Sequence, residues 1–257
     1  MNQGFLVSII TVVFNGEKYL QQTIDSVFNQ TYKNIEYIII DGGSTDNTVS
    51  IIKENKDKIS KWISEPDNGL YDAMNKGIKM STGELIGTIN SDDWYEPDAV
   101  QLSVNAYLEN PKTSIVHSDR YDVLPTGEKS VFKFNPSDFK FKYFSMTYSH
   151  PSMFISKKIY REHQYNTNMK SFSDYQLILE VFLRHPKNFT YIPKPLVNFR
   201  LGGVSGSLSF FEVLKEGYQA RKLAGMNTIE NLFSLCLKLA LQPVVWLKRI
   251  VVKNLKI

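Results

Sequence analysis

Glu36-Tyr37-Ile38-Ile39-Ile40-Asp41-Gly42-Gly43-Ser44-Thr45-Asp46 runs from an apolar, β-branched stretch straight into an acid, two glycines and three helix-capping residues. A continuous apolar run is what a strand covered on both faces needs. Ser, Thr and Asp side chains accept the free N–H groups that open a helix. The segment therefore reads as a buried strand over 35–40, a tight turn, and a helix over 47–54. Toward the N-terminus, residues 6–13 form another such strand, and residues 17–30 set Leu20, Ile24, Val27 and Phe28 at helical spacing. Toward the C-terminus follow a short strand at 61–64, a helix at 70–80 and a strand at 84–90. This alternation predicts an α/β fold: a mostly parallel central sheet, Rossmann-like and flanked by helices. Right-handed crossovers would gather the strand C-terminal ends along one ligand-binding edge.

After residue 98 the pattern loosens. It predicts a helix at 99–108 and a strand at 113–117. A hairpin follows between 120–124 and 129–134, turning at Pro125-Thr126-Gly127. A strand near 153–155 and a helix at 175–184, buried through Leu177, Ile178, Val181 and Phe182, come next. Residues 202–209 read as a Gly/Ser loop over a site, with no strand-to-helix pattern around them. Residues 231–257 are apolar and carry Lys238, Lys248, Arg249, Lys253 and Lys256 without an acid. Lys238 and Pro243 interrupt this stretch too early for a membrane span of about 20 apolar residues. One reading is an amphipathic helix pair lying in a membrane interface and drawn there by anionic lipid. The other is a C-terminal helix packed on the domain with a solvated basic edge.

Composition narrows the class. Of 257 residues, 42% are hydrophobic and 22% charged, enough for a normal core. A net charge of +4 does not call for nucleic acid, and none is expected as a partner. The single cysteine, Cys236, excludes a disulfide framework and a cysteine zinc site. The first residues lack a basic stretch, so a cytoplasmic location is expected. The turn after the first strand, Phe14-Asn15-Gly16-Glu17, is not the Gly-x-Gly-x-x-Gly of a dinucleotide fold, and no Gly-x-x-x-x-Gly-Lys-Ser/Thr loop occurs.

Three acidic positions fall where a ligand would sit. Asp41 ends a strand; it could accept a bond from a base or ribose, or simply brace a turn. Asn90-Ser91-Asp92-Asp93 ends another strand. Two adjacent carboxylates there are costly unless a cation neutralises them, although an acidic helix entrance is the plain alternative. Asp174 opens a helix, either as a favourable cap or as a general base. His150, before Pro151 and an apolar strand, is the one histidine singled out.

Taken in order, these segments resemble family 2 glycosyltransferases with the GT-A fold. The resemblance rests on residues 7–15, 36–46 (EYIIIDGGSTD), 64–77 (SEPDNGLYDAMNKG) and 81–94 (STGELIGTINSDDW). It continues more loosely through His150-Pro151, residues 172–177 and 199–205, and points to the branch that builds bacterial surface polysaccharides. It implies a nucleotide-binding half over 1–98 and an acceptor-binding half over 99–230, with the tail at 231–257. Thr11, Phe14 and Asn15 would line the nucleotide pocket, and Asp41 would contact the base. Asp67 and Lys76 would flank the nucleotide and its phosphates, with Arg200 assisting. Asp93 would bind Mn²⁺ or Mg²⁺, and Asp92 would reach the ribose or donor sugar. Asp174 would act as general base, and Gly202 and Gly203 would belong to a closing loop. The implied donor is a nucleotide sugar, UDP-linked by preference. The implied acceptor is a saccharide or lipid-linked saccharide, met at the cytoplasmic membrane surface. A sugar nucleotidyltransferase and a silent nucleotide-binding scaffold are the competing readings.

Overall fold

The computed structural model describes residues 4–202 and 208–254, with side chains to residue 241 in its last helix. β1 (Val7–Val13), β2 (Ile35–Asp41), β3 (Lys61–Ser64) and β4 (Leu85–Asn90) pair in parallel in the order β3-β2-β1-β4. They alternate with α1 (Leu20–Phe28), α2 (Thr48–Glu54) and α3 (Leu70–Met80). Side chains of successive strand residues point to opposite faces, so the apolar runs feed two cores. Ile10, Ile38, Ile40 and Ile86 face Tyr71 and Met74 of α3, whereas Ile9, Ile39, Leu85 and Ile89 join Leu20, Ile24 and Val27 of α1.

Beyond β4 come β5 (Trp94–Tyr95), α4 (Ala99–Glu109), β6 (Ile115–Val123), β7 (Lys129–Phe132), α5 (Asp138–Tyr143), β8 (Phe154–Ser156) and α6 (Lys157–Glu162). The chain continues as α7 (Ser173–Arg184), β9 (Phe189–Arg200), α8 (Phe210–Leu223) and α9 (Thr228–Asn254). The sheet extends from β4 through β8, β6 and β9 to β5, and β7 adds to β6. Its longest ladders, β1 with β2 and β6 with β9, are parallel.

Several elements differ from the sequence reading. The strand at 113–117 and the first hairpin arm are one strand, β6, which pairs with β9 along its length and with β7 beyond Asp119. β9 was not expected at all. Pro193 and Pro195 lack N–H donors, and the ladder skips at Ser118, Asp119 and Arg120 to pass them as a bulge. Residues 202–209 therefore do lie between a strand and a helix. The tail is one helix, not a pair: α9 runs past position 243 without a break. Its inward face carries Asn231, Ser234 and Lys238, while Ile229, Leu232, Phe233, Leu239 and Leu241 stand exposed. No helix among the described residues is long and apolar enough to cross a membrane.

Candidate active site

Register places Val13 beside Asp41, Asp41 beside Ser64, and Val12 beside Asn90, so the ends of β1 to β4 share one edge. The loops leaving β1 and β2 are laced together there. Asn15, in the left-handed region at φ 51°, donates its N–H to Ser44 Oγ at 2.7 Å. Its side-chain oxygen accepts from the Thr45 N–H at 2.9 Å. The Gly16 N–H reaches Thr48 Oγ1 at 2.8 Å. Asn15 thus shapes the edge by bracing it.

Asp41 is fully buried. Its carboxylate accepts from the Ser64 hydroxyl at 2.6 Å and from the Ser44 hydroxyl at 2.5 Å and N–H at 3.1 Å. It ties β2, its loop and β3 together. Thr11 is also fully buried and shares a 3.0 Å hydrogen bond with the Tyr37 hydroxyl. Thr11 faces the core, because the β1 pleat turns that position inward, and so does not line a pocket as expected. Phe14 is 64% exposed and offers an open aromatic face.

The segment after β3 folds back on this edge. Asp67 Oδ1 accepts from the Gly69 N–H at 2.8 Å. A Cβ at Gly42 would come within 2.5 Å of Asp67 Oδ2, so a side chain there would displace that carboxylate from the end of β2. Lys76 pairs with Glu65 at 2.9 Å and Asp72 at 3.5 Å and donates to the Pro66 carbonyl at 3.2 Å. The Glu65 bond raises the Lys76 pKa above its ordinary value. Lys76 thereby clamps residues 65–72.

At the end of β4, Asp93 is 1% exposed and turned inward. Its Oδ1 accepts from the Arg200 N–H at 2.9 Å and its Oδ2 from Asn90 Nδ2 at 3.1 Å. Burial, and then the neighbouring Asp92 charge, push the Asp93 carboxyl up to about 8. Asp92 is half-buried and also raised by burial. Asp93 thus joins the end of β4 to the end of β9, and Asp92 is the less buried of the two carboxylates. Asn90 Oδ1 is buried without a partner. Among the described residues no three His, Cys, Asp or Glu side chains gather around a metal position. A cation shared with phosphates needs only one or two protein oxygens, however, and the Asp92 carboxylate and Asn90 Oδ1 are oxygens of the kind it takes. The Arg200 guanidinium lies between the rings of Tyr19 and Trp94, 4.0 and 4.6 Å from their centroids, and donates to Gln22 Oε1.

Asp174, at the start of α7, receives the Tyr71 hydroxyl from α3 at 3.1 Å across 103 positions of sequence. Burial and the Asp174 charge both raise Tyr71, so it keeps its proton and remains the donor. The Tyr175 N–H also reaches Asp174 Oδ1, at 2.8 Å, and Oδ2 takes no hydrogen bond among the described residues. Behind Tyr71 lies Tyr165, stacked at 5.5 Å, whose hydroxyl meets His150 Nε2 at 2.7 Å. Burial lowers the His150 pKa against the pull of Asp174. His150 is thus a buried support behind Asp174. Tyr71 falls in the 67–72 segment that the resemblance sets beside the nucleotide, whereas nothing in the sequence around Tyr165 signals its contact with Tyr71. Gly202, at φ 115°, is exposed just past β9, and Gly203 lies outside the described residues.

The family model for glycosyl transferase family 2 matches residues 8–165. The hyaluronan synthase of Pasteurella multocida is 28% identical over 223 residues, covering 85% of this chain and 23% of that protein. The chondroitin synthase of Escherichia coli is 29% identical over 218 residues, covering 83% and 31%. The chain spans less than a third of the length of these curated relatives. Among solved structures, S. aureus TarS 1–349 in complex with UDP-GlcNAc matches with a TM-score of 0.69 at 17% identity, covering 90% of this chain and 70% of that one. Mannosyltransferase PcManGT from Pyrobaculum calidifontis, in complex with GDP-Man and Mn2+, matches with a TM-score of 0.60 at 12% identity, covering 98% and 80%. At such identities the likeness is one of fold, and that fold is GT-A.

Proposed function

The chain belongs to glycosyl transferase family 2, and from that premise we propose that it moves a sugar from a nucleoside diphosphate sugar to a hydroxyl of a saccharide or lipid-linked saccharide, inverting the anomeric carbon. The observation that carries this reading is the bond between Tyr71 and Asp174. α3 begins at the strand-end edge, directly after residues 65–69, so a carboxylate held by Tyr71 stands beside the loops that would hold the donor.

Each part of the site then has a task. Phe14 offers a face for the base, and the braced loops of Asn15, Asp41 and Asp67 shape the pocket around the nucleoside. Asp92 and Asn90 Oδ1 would hold Mn²⁺ or Mg²⁺, with Asp93 and Arg200 keeping that corner in place. When bound, the cation offsets the charge that grows on the departing diphosphate. Asp174 takes the proton of the acceptor hydroxyl on its Oδ2. The acceptor oxygen bonds to the anomeric carbon as the bond to the diphosphate breaks on the opposite face. Such base assistance typically contributes about 10²- to 10⁴-fold.

The neighbour bound to UDP-GlcNAc supports a UDP-sugar donor, and the neighbour bound to GDP-Man and Mn2+ supports use of a divalent cation. Relatives named for hyaluronan and chondroitin support a cell-surface polysaccharide product. The exposed apolar face of α9 supports peripheral attachment at the inner face of the membrane. Calorimetric titration of the full chain with UDP and GDP, with and without Mn²⁺, tests the donor side. UDP should bind in Mn²⁺ and weaken at least about tenfold, or about 1.4 kcal/mol, in Asp92→Asn. Equal binding in EDTA would remove the cation, no binding of either nucleotide would remove the donor site, and binding without transfer would favour the silent scaffold.

A further inference from the structure

The helix that carries Asp174 begins without a cap of its own. The first N–H groups of a helix have no partner within it, and Phe172, the residue before α7, offers them no side-chain bond. Asp174 itself takes the Tyr175 N–H, and the first bond of the helix proper runs from the Gln176 N–H to the Phe172 carbonyl at 2.9 Å. Helix ends fray, so the place of Asp174 depends on what holds the segment leading into α7.

That segment, residues 165–173, is gripped from two helices. On one side Asn75 of α3 donates to the Tyr165 carbonyl at 2.8 Å and accepts the Tyr165 N–H at 3.0 Å. Within the segment, the Ser173 hydroxyl takes the Asn166 N–H at 2.5 Å. On the other side Glu216 of α8 accepts the Lys170 N–H on one oxygen and the Ser171 N–H on the other, both at 2.9 Å. Glu216 is 8% exposed, and its side chain enters no ion pair among the described residues. A buried carboxylate is costly unless hydrogen bonds answer it, and bonds to an ionised oxygen are roughly twice as strong as neutral ones. Here the whole carboxylate is spent on two neighbouring backbone groups, three residues and four residues ahead of Asp174.

We propose that Glu216 is a positioning residue for Asp174. By gripping the Lys170 and Ser171 N–H groups it fixes the start of α7 where Asp174 meets the Tyr71 hydroxyl of α3, 3.1 Å away. Glu216 acts through the backbone and not on the reacting atoms. A misplacement of about 1 Å in a reacting group can cost on the order of 10²-fold in rate, so this grip bears on turnover. That last step rests on the reading of Asp174 as the base; the positioning itself does not.

Two measurements on the full chain need no substrate. In the wild type, the Lys170 and Ser171 amides should be protected from hydrogen exchange about tenfold or more above Thr167 of the same segment, whose N–H has no partner among the described residues. With ¹³C at the tyrosine Cζ, the Tyr71 signal is identified by its loss in Tyr71→Phe, and Asp174→Asn marks where it lies without the carboxylate. Glu216→Gln keeps the size but accepts on one oxygen only. It should abolish the protection and move the Tyr71 signal toward the Asp174→Asn position, leaving unmoved the signal of Tyr37, which is bonded to Thr11. Glu216→Asp, with the charge kept and the reach shortened, should move the Tyr71 signal the same way. A Tyr71 signal identical in wild type and both variants would overturn the proposal, even with a lowered Tm, since Glu216 would then serve stability alone. So would Lys170 and Ser171 amides no better protected than Thr167. Turnover, read as UDP release from UDP-GlcNAc in Mn²⁺, separates the two readings. Glu216→Gln should lower kcat at least about fivefold at constant KM, and cost nothing further in the Asp174→Asn background. Equal losses in both backgrounds would show Glu216 acting by another route and overturn the proposal. A moved Tyr71 signal with wild-type turnover in Asp174→Asn would remove the base and leave the positioning in place.

Discussion

Asp174 receives two hydrogen bonds on one oxygen and none among the described residues on the other, and that asymmetry sets what its variants should do. Asp174→Asn keeps the shape but cannot take a proton, so kcat should fall at least about tenfold with nucleotide affinity unchanged. Tyr71→Phe removes one orienting bond and should lower kcat by about two- to tenfold at constant KM, the worth of a single hydrogen bond. A wild-type kcat in Asp174→Asn would take that residue out of the mechanism. Glu36 poses a question of stability instead. Although burial alone would raise its pKa, Lys61 at 2.6 Å, Ser8 and Thr82 hold it down to about 2, from an ordinary 4.5. A depressed folded-state pKa contributes stability that is complete above about 4.5 and is lost as pH falls toward about 2. Glu36→Gln should therefore cost on the order of 2 kcal/mol at pH 7 and approach zero near pH 2, as read from urea unfolding at several pH values.

At the scale of the element, α9 is the informative case. Its spacing marks it as amphipathic, and packing decides which face turns outward. Lys238, one of the basic residues expected either at a membrane interface or on a solvated edge, points into the protein because Asn231 and Ser234 on the same stripe are bound to Arg221 and the Tyr143 carbonyl. The face left for a membrane is Ile229, Leu232, Phe233, Leu239 and Leu241. The double variant Leu232→Glu with Leu239→Glu should cut binding to anionic vesicles by tenfold or more, with Tm nearly unchanged because both side chains are about half exposed. If flotation is unaffected, this face does not meet lipid. β9 shows the opposite relation: its prolines disguise a strand, and pairing with β6 around the bulge creates it.

Across the whole molecule, the parallel half and the later half join through β8. Its three residues pair with β4 on one side and β6 on the other. Phe154, at the seam, is fully buried, stacks on Tyr95 at 5.6 Å and fills the space that Gly87 leaves open. Phe154→Ala should cost about 3–5 kcal/mol and lower the single thermal transition of the entire chain. Two separate transitions in calorimetry would show instead that the halves unfold independently. Asp93 supplies a polar weld at the same junction, since its carboxylate takes the Arg200 N–H of β9 at the end of β4.

The sequence by itself determined the parallel half and its ligand edge. Strand-like runs at 6–13, 35–40 and 84–90, spaced by helical periods, have few ways to bury themselves other than as central strands. The order of motifs along those strands was enough to indicate the family. Periodicity reports only burial, however, and burial does not say which oxygen of a carboxylate is already occupied. Only the tertiary structure showed Asp41 spent on Ser44 and Ser64, Thr11 on Tyr37, and Asp93 on Arg200, with Asp92 the less buried of the two adjacent carboxylates. The same holds for Tyr71 with Asp174, and for Glu216 with Lys170 and Ser171. These groups lie far apart in the chain, and hydrogen bonding and charge act over a few ångströms of space, which no local pattern of residues records.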